Sequence, residues 1–61
     1  MPIVIVEAVA GRNIEQKRGL AKDITEAVVK HFNVPLGAVT VIIHDNGKEN
    51  IATAGKLKSD K

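Results

Sequence analysis

Two residues near the start of this 61-residue chain are candidates for chemistry: Pro2 as a base, against a plain start-of-strand proline, and Arg12 as an anion-binding group, against an exposed arginine in a turn. Initiator methionine is normally removed when a small residue follows, and removal would leave Pro2 as a secondary amine at the chain start. Burial beside apolar strand residues and nearby cations both disfavour its ammonium form, so such an amine can act as a base near neutral pH. While Met1 is attached, the Pro2 nitrogen is a tertiary amide with no useful basicity, so the amine mechanism belongs to the processed chain. Arg12 sits between Gly11 and Asn13 at the start of a predicted helix, where free backbone N–H groups and the helix dipole favour an anion such as a carboxylate. His44 follows the second strand at the parity of Thr40 and Ile42, beside Asp45, as a candidate proton donor or hydrogen-bond partner. His31, near the helix end, reads as a residue facing the last carbonyls. Two isolated histidines do not make a metal-ligand pattern, and no phosphate loop, dinucleotide glycine pattern or nucleophile elbow is present, so neither metal nor cofactor is expected.

The elements that must position these groups follow from the apolar pattern. Ile3-Val4-Ile5-Val6, extended by Ala8 and Val9, is apolar at both parities and reads as a strand buried on both faces. Asn13 with Gln16 three residues later forms a capping-box signal for a helix starting near Ile14. Leu20, Ile24, Ala27, Val28 and Phe32 recur at helical spacing, with charged residues, Lys17 among them, at the other positions. The helix is expected to stop near Phe32, because Asn33 suits a left-handed cap and Pro35 keeps Val34 out of the helical region. Val39 to Ile43 is a second strand apolar at both parities, followed by a turn at Asp45-Asn46-Gly47-Lys48. The predicted fold is α+β: one right-handed β-α-β unit with parallel strands, and a short C-terminal hairpin or arm over Ile51 to Leu57. Residues 1–61 read as a single domain with no repeat or linker.

Composition narrows the possibilities. Nine Lys and Arg against seven Asp and Glu, with Phe32 the sole aromatic residue, provide neither a basic stripe nor a stacking platform, so nucleic acid is an unfavoured partner. No spanning segment, signal peptide or lipidation motif appears, and a cytoplasmic location without membrane attachment is expected. Zero cysteines exclude a disulfide scaffold. A chain of this length buries only about 60% of its extended surface. One helix covers one face of a two-stranded sheet, so Ile3 and Ile5 or Val4 and Val6 are left over. Exposing such side chains forgoes roughly 1.5–3 kcal/mol each, which predicts a homo-oligomer. The competing account, a C-terminal segment folded over the open face, has only Ile51 and Leu57 to offer. At roughly 3.3 Å per residue, residues 2 to 9 in extended form span about 25 Å, so Pro2 and Arg12 of one chain lie at opposite ends of the first strand and a shared site takes them from different subunits.

The whole chain resembles the 4-oxalocrotonate tautomerase family. The matching features are Pro2-Ile3, Gly11-Arg12-Asn13 followed by Glu15-Gln16-Lys17, Ile24-Thr25-Glu26-Ala27, Val41-Ile42-Ile43 and Ala54-Gly55-Lys56, in order along nearly the full length. The resemblance implies β-α-β protomers paired through a four-stranded sheet, a hexamer built as a trimer of dimers, and a link to the breakdown of aromatic compounds. It also implies a cofactor-free isomerase moving a proton between enol and keto forms of a small 2-hydroxy-dienoate or 2-oxo acid. Pro2 is then the general base, and Arg12 holds the substrate carboxylate.

Two features depart from the family pattern. Thr40 stands where a second substrate-polarising arginine is expected, and Ile51 stands where an aromatic wall is expected. Threonine offers one hydrogen bond and no charge, so stabilisation of an enolate oxygen must be weaker or come from elsewhere, for instance His44 or the backbone. The alternatives are a catalytically weakened oligomeric protein that binds small acids, or a relative that hydrates or dehalogenates unsaturated acids.

Overall fold

The computed structural model describes residues 1–60. Strand β1 (Ile3–Val9) leads through a short connection into helix α1 (Ile14–Phe32) and back to strand β2 (Thr40–Asn46). β1 and β2 pair in parallel, with Ile3 opposite Thr40, Ile5 opposite Ile42, Glu7 opposite His44 and Val9 opposite Asn46. Single 3-10 turns at Leu36–Ala38 and Lys48–Asn50 flank β2. Two-residue strands β3 (Ala52–Thr53) and β4 (Lys56–Leu57) close the chain as an antiparallel hairpin. The expected α+β architecture, parallel unit and terminal hairpin are all present.

Local chemistry accounts for the helix ends. The Asn13 side chain accepts from the Gln16 N–H at 2.8 Å, and the Asn13 N–H donates to Gln16 Oε1 at 3.0 Å, completing a capping box. At the other end Asn33 is left-handed, with φ 55°, and its N–H donates to the Val29 carbonyl at 3.0 Å. Gly11, at φ 134°, turns the chain between β1 and α1 in a conformation that side chains rarely adopt.

Three expectations need correction. β2 runs three residues past Ile43, through His44 and Asp45 to Asn46, because the parallel ladder continues as long as β1 supplies partners, up to Val9. The turn therefore begins at Gly47. The half-buried line of α1 is Lys17, Ala21, Ile24 and Val28, with Thr25 and Val29 beside it, whereas Leu20, Ala27 and Phe32 stand exposed. Apolar residues span a wide arc of this helix, and a two-stranded sheet is broad enough to cover only part of it. Lys17, assigned to the solvated side, instead lies over the sheet.

The protomer by itself has no closed core. No described apolar residue is fully buried, and Ile3, Ile5 and Ile42 are 59%, 58% and 38% exposed on the sheet face away from α1. The C-terminal hairpin leaves that face open. The radius of gyration is 14.8 Å against about 10.5 Å for a compact chain of this length. Its longest and shortest extents, 45 and 13 Å, describe a flat, elongated unit.

Candidate functional site

Arg12 lies just beyond the C-terminal end of β1, on the side of the sheet that faces α1. Its Nη1 donates to the Val9 carbonyl at 2.8 Å, which steadies the guanidinium over the end of the strand. Arg12 borders a cleft of about 210 Å³ between the first turns of α1 and the sheet, floored by Val6 and Ile43 and rimmed by Gln16, Lys17 and Asp45. Among the described residues Arg12 has no carboxylate partner. The other cations of this region are occupied: Lys17 pairs with Asp45, and Arg18 pairs with Glu15. The capping box uses two N–H groups at the helix start, those of Asn13 and Gln16, and the Arg12 guanidinium adds its charge to what the helix start offers an anion.

Pro2 is at the opposite end of the sheet and does not border this cleft. Its carbonyl accepts from the Thr40 N–H at 3.0 Å, which sets it beside the Val39–Thr40 segment. Pro2, Val39 and Thr40 are all half-buried. The protomer thus separates the two residues by the length of β1, as the strand arithmetic requires. Thr40 is next to Pro2 across the ladder, and Ile51 is half-buried at the base of the hairpin, its carbonyl accepting from the Lys58 N–H at 2.8 Å.

His44 is inside β2 rather than after it, and it is a hydrogen-bond partner of Glu7. Nδ1 of His44 lies 2.6 Å from Glu7 Oε2, and the Asn46 amide donates to Glu7 Oε1 at 3.0 Å. These bonds, that of Asn46 foremost, hold the Glu7 carboxyl below its ordinary range. The cluster lies on the open face of the sheet beyond Ile5 and Ile42, away from the Arg12 cleft. His31 is in the last turn of α1 with Lys30, as expected from its position.

Sequence reasoning missed the pairing of Lys17 with Asp45, two residues 28 positions apart. Neither the helical period nor the strand alternation marks them as neighbours. Only the register of β2 and the seating of α1 bring them together.

The comparisons with known proteins agree with this architecture. The model of the family described as tautomerase enzyme matches residues 2–61. The 2-hydroxymuconate tautomerase of Pseudomonas putida is 37% identical over 59 residues, covering 97% of this chain and 94% of that protein. The crystal structure of YwhB, a homologue of 4-oxalocrotonate tautomerase, superposes with a TM-score of 0.91 at 38% identity, covering 98% of each chain. A heterohexameric 4-oxalocrotonate tautomerase from Chloroflexus aurantiacus J-10-fl gives 0.87 at 28% identity, covering 98% of this chain and 97% of that one. A family match across residues 2–61, joined to the parallel β-α-β unit built here, makes this chain a member of the tautomerase family, of the 4-oxalocrotonate tautomerase type.

Proposed function

We propose that this protein is a cofactor-independent tautomerase that converts a small 2-hydroxy-dienoate, or the enol of a 2-oxo acid, into its keto form within a homo-oligomer. The observation that carries the reading is Arg12, steadied by Val9 on the cleft rim and free of any carboxylate among the described residues. The open face formed by Ile3, Ile5 and Ile42 supports assembly, as does the hexameric relative. The 2-hydroxymuconate tautomerase similarity supports the substrate class.

In this mechanism Met1 is removed, and the Pro2 amine of one protomer meets Arg12 of another. The apolar neighbourhood of Pro2 favours the neutral amine. Pro2 takes the proton of the substrate 2-hydroxyl, the electrons of that O–H bond form the carbonyl, and the conjugated double bond shifts toward the distant carbon. The prolinium then delivers the same proton to that carbon, which regenerates the amine and gives the conjugated ketone. Arg12 orients the carboxylate and offsets charge developing on the enolate. With Thr40 in place of a second arginine, turnover is expected to be modest.

The test is the absorbance decay of an enol such as that of phenylpyruvate, with intact mass measured on protein from its own host. Loss of Met1 and a fall of about 10²- to 10⁴-fold in kcat for Pro2→Ala are expected. A retained methionine, or turnover unchanged in the variant, rejects Pro2 as the base. Thr40 also favours a second reading, an oligomer that binds carboxylates through Arg12 without enol–keto conversion. Carboxylate binding with no enol decay in the processed protein would select it.

A further inference from the structure

The cleft beneath the start of α1 holds one fixed anion as well as the cations that would greet a substrate. Among the described residues Asp45 is the sole carboxylate on its rim; Glu15 does not line the cleft and pairs with Arg18. Asp45 is opposite Ala8, and the carbonyl that steadies Arg12 belongs to the next residue, Val9. Arg12 and Asp45 line the same cleft of about 210 Å³, which puts the carboxylate of Asp45 on the wall that the guanidinium of Arg12 also borders. Arg12 nevertheless bonds to a neutral carbonyl, and Asp45 is engaged by Lys17 instead, each of the two side chains being 31% exposed.

We propose that Lys17 is a positioning residue for the carboxylate subsite: by occupying Asp45 it keeps Arg12 from forming an internal ion pair and so available to the substrate. This rests on Arg12 being the carboxylate-binding group proposed above. The physical logic is competition. One Nη1 donor of Arg12 is already engaged by the Val9 carbonyl, and a carboxylate tethered in the same cleft would compete for the remaining donors at a high local concentration relative to a dissolved substrate. Lys17 reaches from α1 as a compact point charge, sufficient to neutralise Asp45 without the planar fork that the substrate needs from Arg12. The geometry also explains a lysine lying over the sheet, where an apolar side chain would bury more surface.

The experiment is a double-mutant cycle on the processed protein, with KM and kcat for the enol of phenylpyruvate and direct calorimetric binding of phenylacetate, a carboxylate without an enol. Lys17→Met is expected to raise KM and weaken phenylacetate binding about three- to fivefold while kcat changes less than about twofold, an effect the size of a partly exposed charge interaction. Asp45→Asn alone is expected to lower KM about two- to threefold, because Lys17 is then an uncompensated cation in the cleft. Lys17→Met with Asp45→Asn is expected to return both readings to near the wild-type values. The exchanged pair, Lys17→Asp with Asp45→Lys, keeps the anion neutralised and is expected to do the same should the single variant fail to assemble.

A double variant as impaired as Lys17→Met overturns the proposal and makes Lys17 a direct substrate contact. An unaltered KM in Lys17→Met overturns it as well. Arg12→Ala separates the two levels: if it leaves phenylacetate binding intact, the carboxylate-binding reading itself fails. If it abolishes binding while the cycle shows no rescue, only the role of Lys17 fails.

Discussion

Glu7 and His44 face each other across the parallel ladder, with Oε2 of one 2.6 Å from Nδ1 of the other, at the polar end of an otherwise apolar sheet face. Asn46, two residues on, completes the cluster by donating to the second oxygen of Glu7. The pair ties β1 to β2 through side chains where the alternation of Ile3 and Ile5 gives way to charge. It also gives the protomer a carboxylate that is easier to ionise when folded than when unfolded.

The direction of that shift fixes the pH response. A carboxyl lowered by folding adds stability above its unfolded value and loses it as pH falls through the folded one. Urea-unfolding stability is therefore expected to decline between about pH 5 and pH 3, and to decline less steeply in Glu7→Gln, which has no proton to take up there. Equal slopes for the two proteins in that range would show that the Glu7 bonds contribute nothing to folding.

Ile5 is 58% exposed in the protomer and central to the open face. Ile5→Asp is expected to dissociate the oligomer and, because the protomer has no closed core, to lose helical circular dichroism with it. Lys22→Glu, on the outward side of α1, is expected to leave sedimentation unaltered. A folded, monomeric wild type at working concentration would contradict the assembly on which the shared site depends.

The capping box at Asn13 and Gln16 satisfies two groups at the start of α1, next to Arg12. Asn13→Ala is expected to cost about 1 kcal/mol in denaturant unfolding. Because the same turn carries Lys17 and borders the cleft, a rise in KM is expected to accompany the loss. Stability within error of wild type would mean that assembly, rather than the cap, holds this turn.

The hairpin between β3 and β4 turns through Ala54 and Gly55 with φ values of 55° and 80°. Both central residues are left-handed, the arrangement in which asparagine followed by glycine is preferred and alanine is strained. Ala54→Asn is expected to raise stability by about 0.5–1 kcal/mol, seen as an increase of several degrees in Tm. A lower Tm would show that the turn is set by contacts made in the oligomer.

Local signals in the chain were enough for the order of elements. The β-branched run at Ile3, the Asn13–Gln16 pair and the Asn33–Pro35 stop each act over a few residues, so a β-α-β unit with α1 ending at Phe32 is legible without coordinates. The apolar character of both strand parities likewise announced that one face would lie open, and the spacing of Pro2 and Arg12 that one protomer could not unite them. Tertiary structure alone decided which distant side chains meet. Glu7 finds His44, and Lys17 finds Asp45, only through the ladder register and the angle at which α1 rests on the sheet. Those depend on how two surfaces pack, a property that no short window of sequence carries. The same reason places Lys17 over the sheet and leaves Leu20 and Phe32 outside: the helical period defines a broad apolar arc, and the width of a two-stranded sheet selects the part of it that is covered.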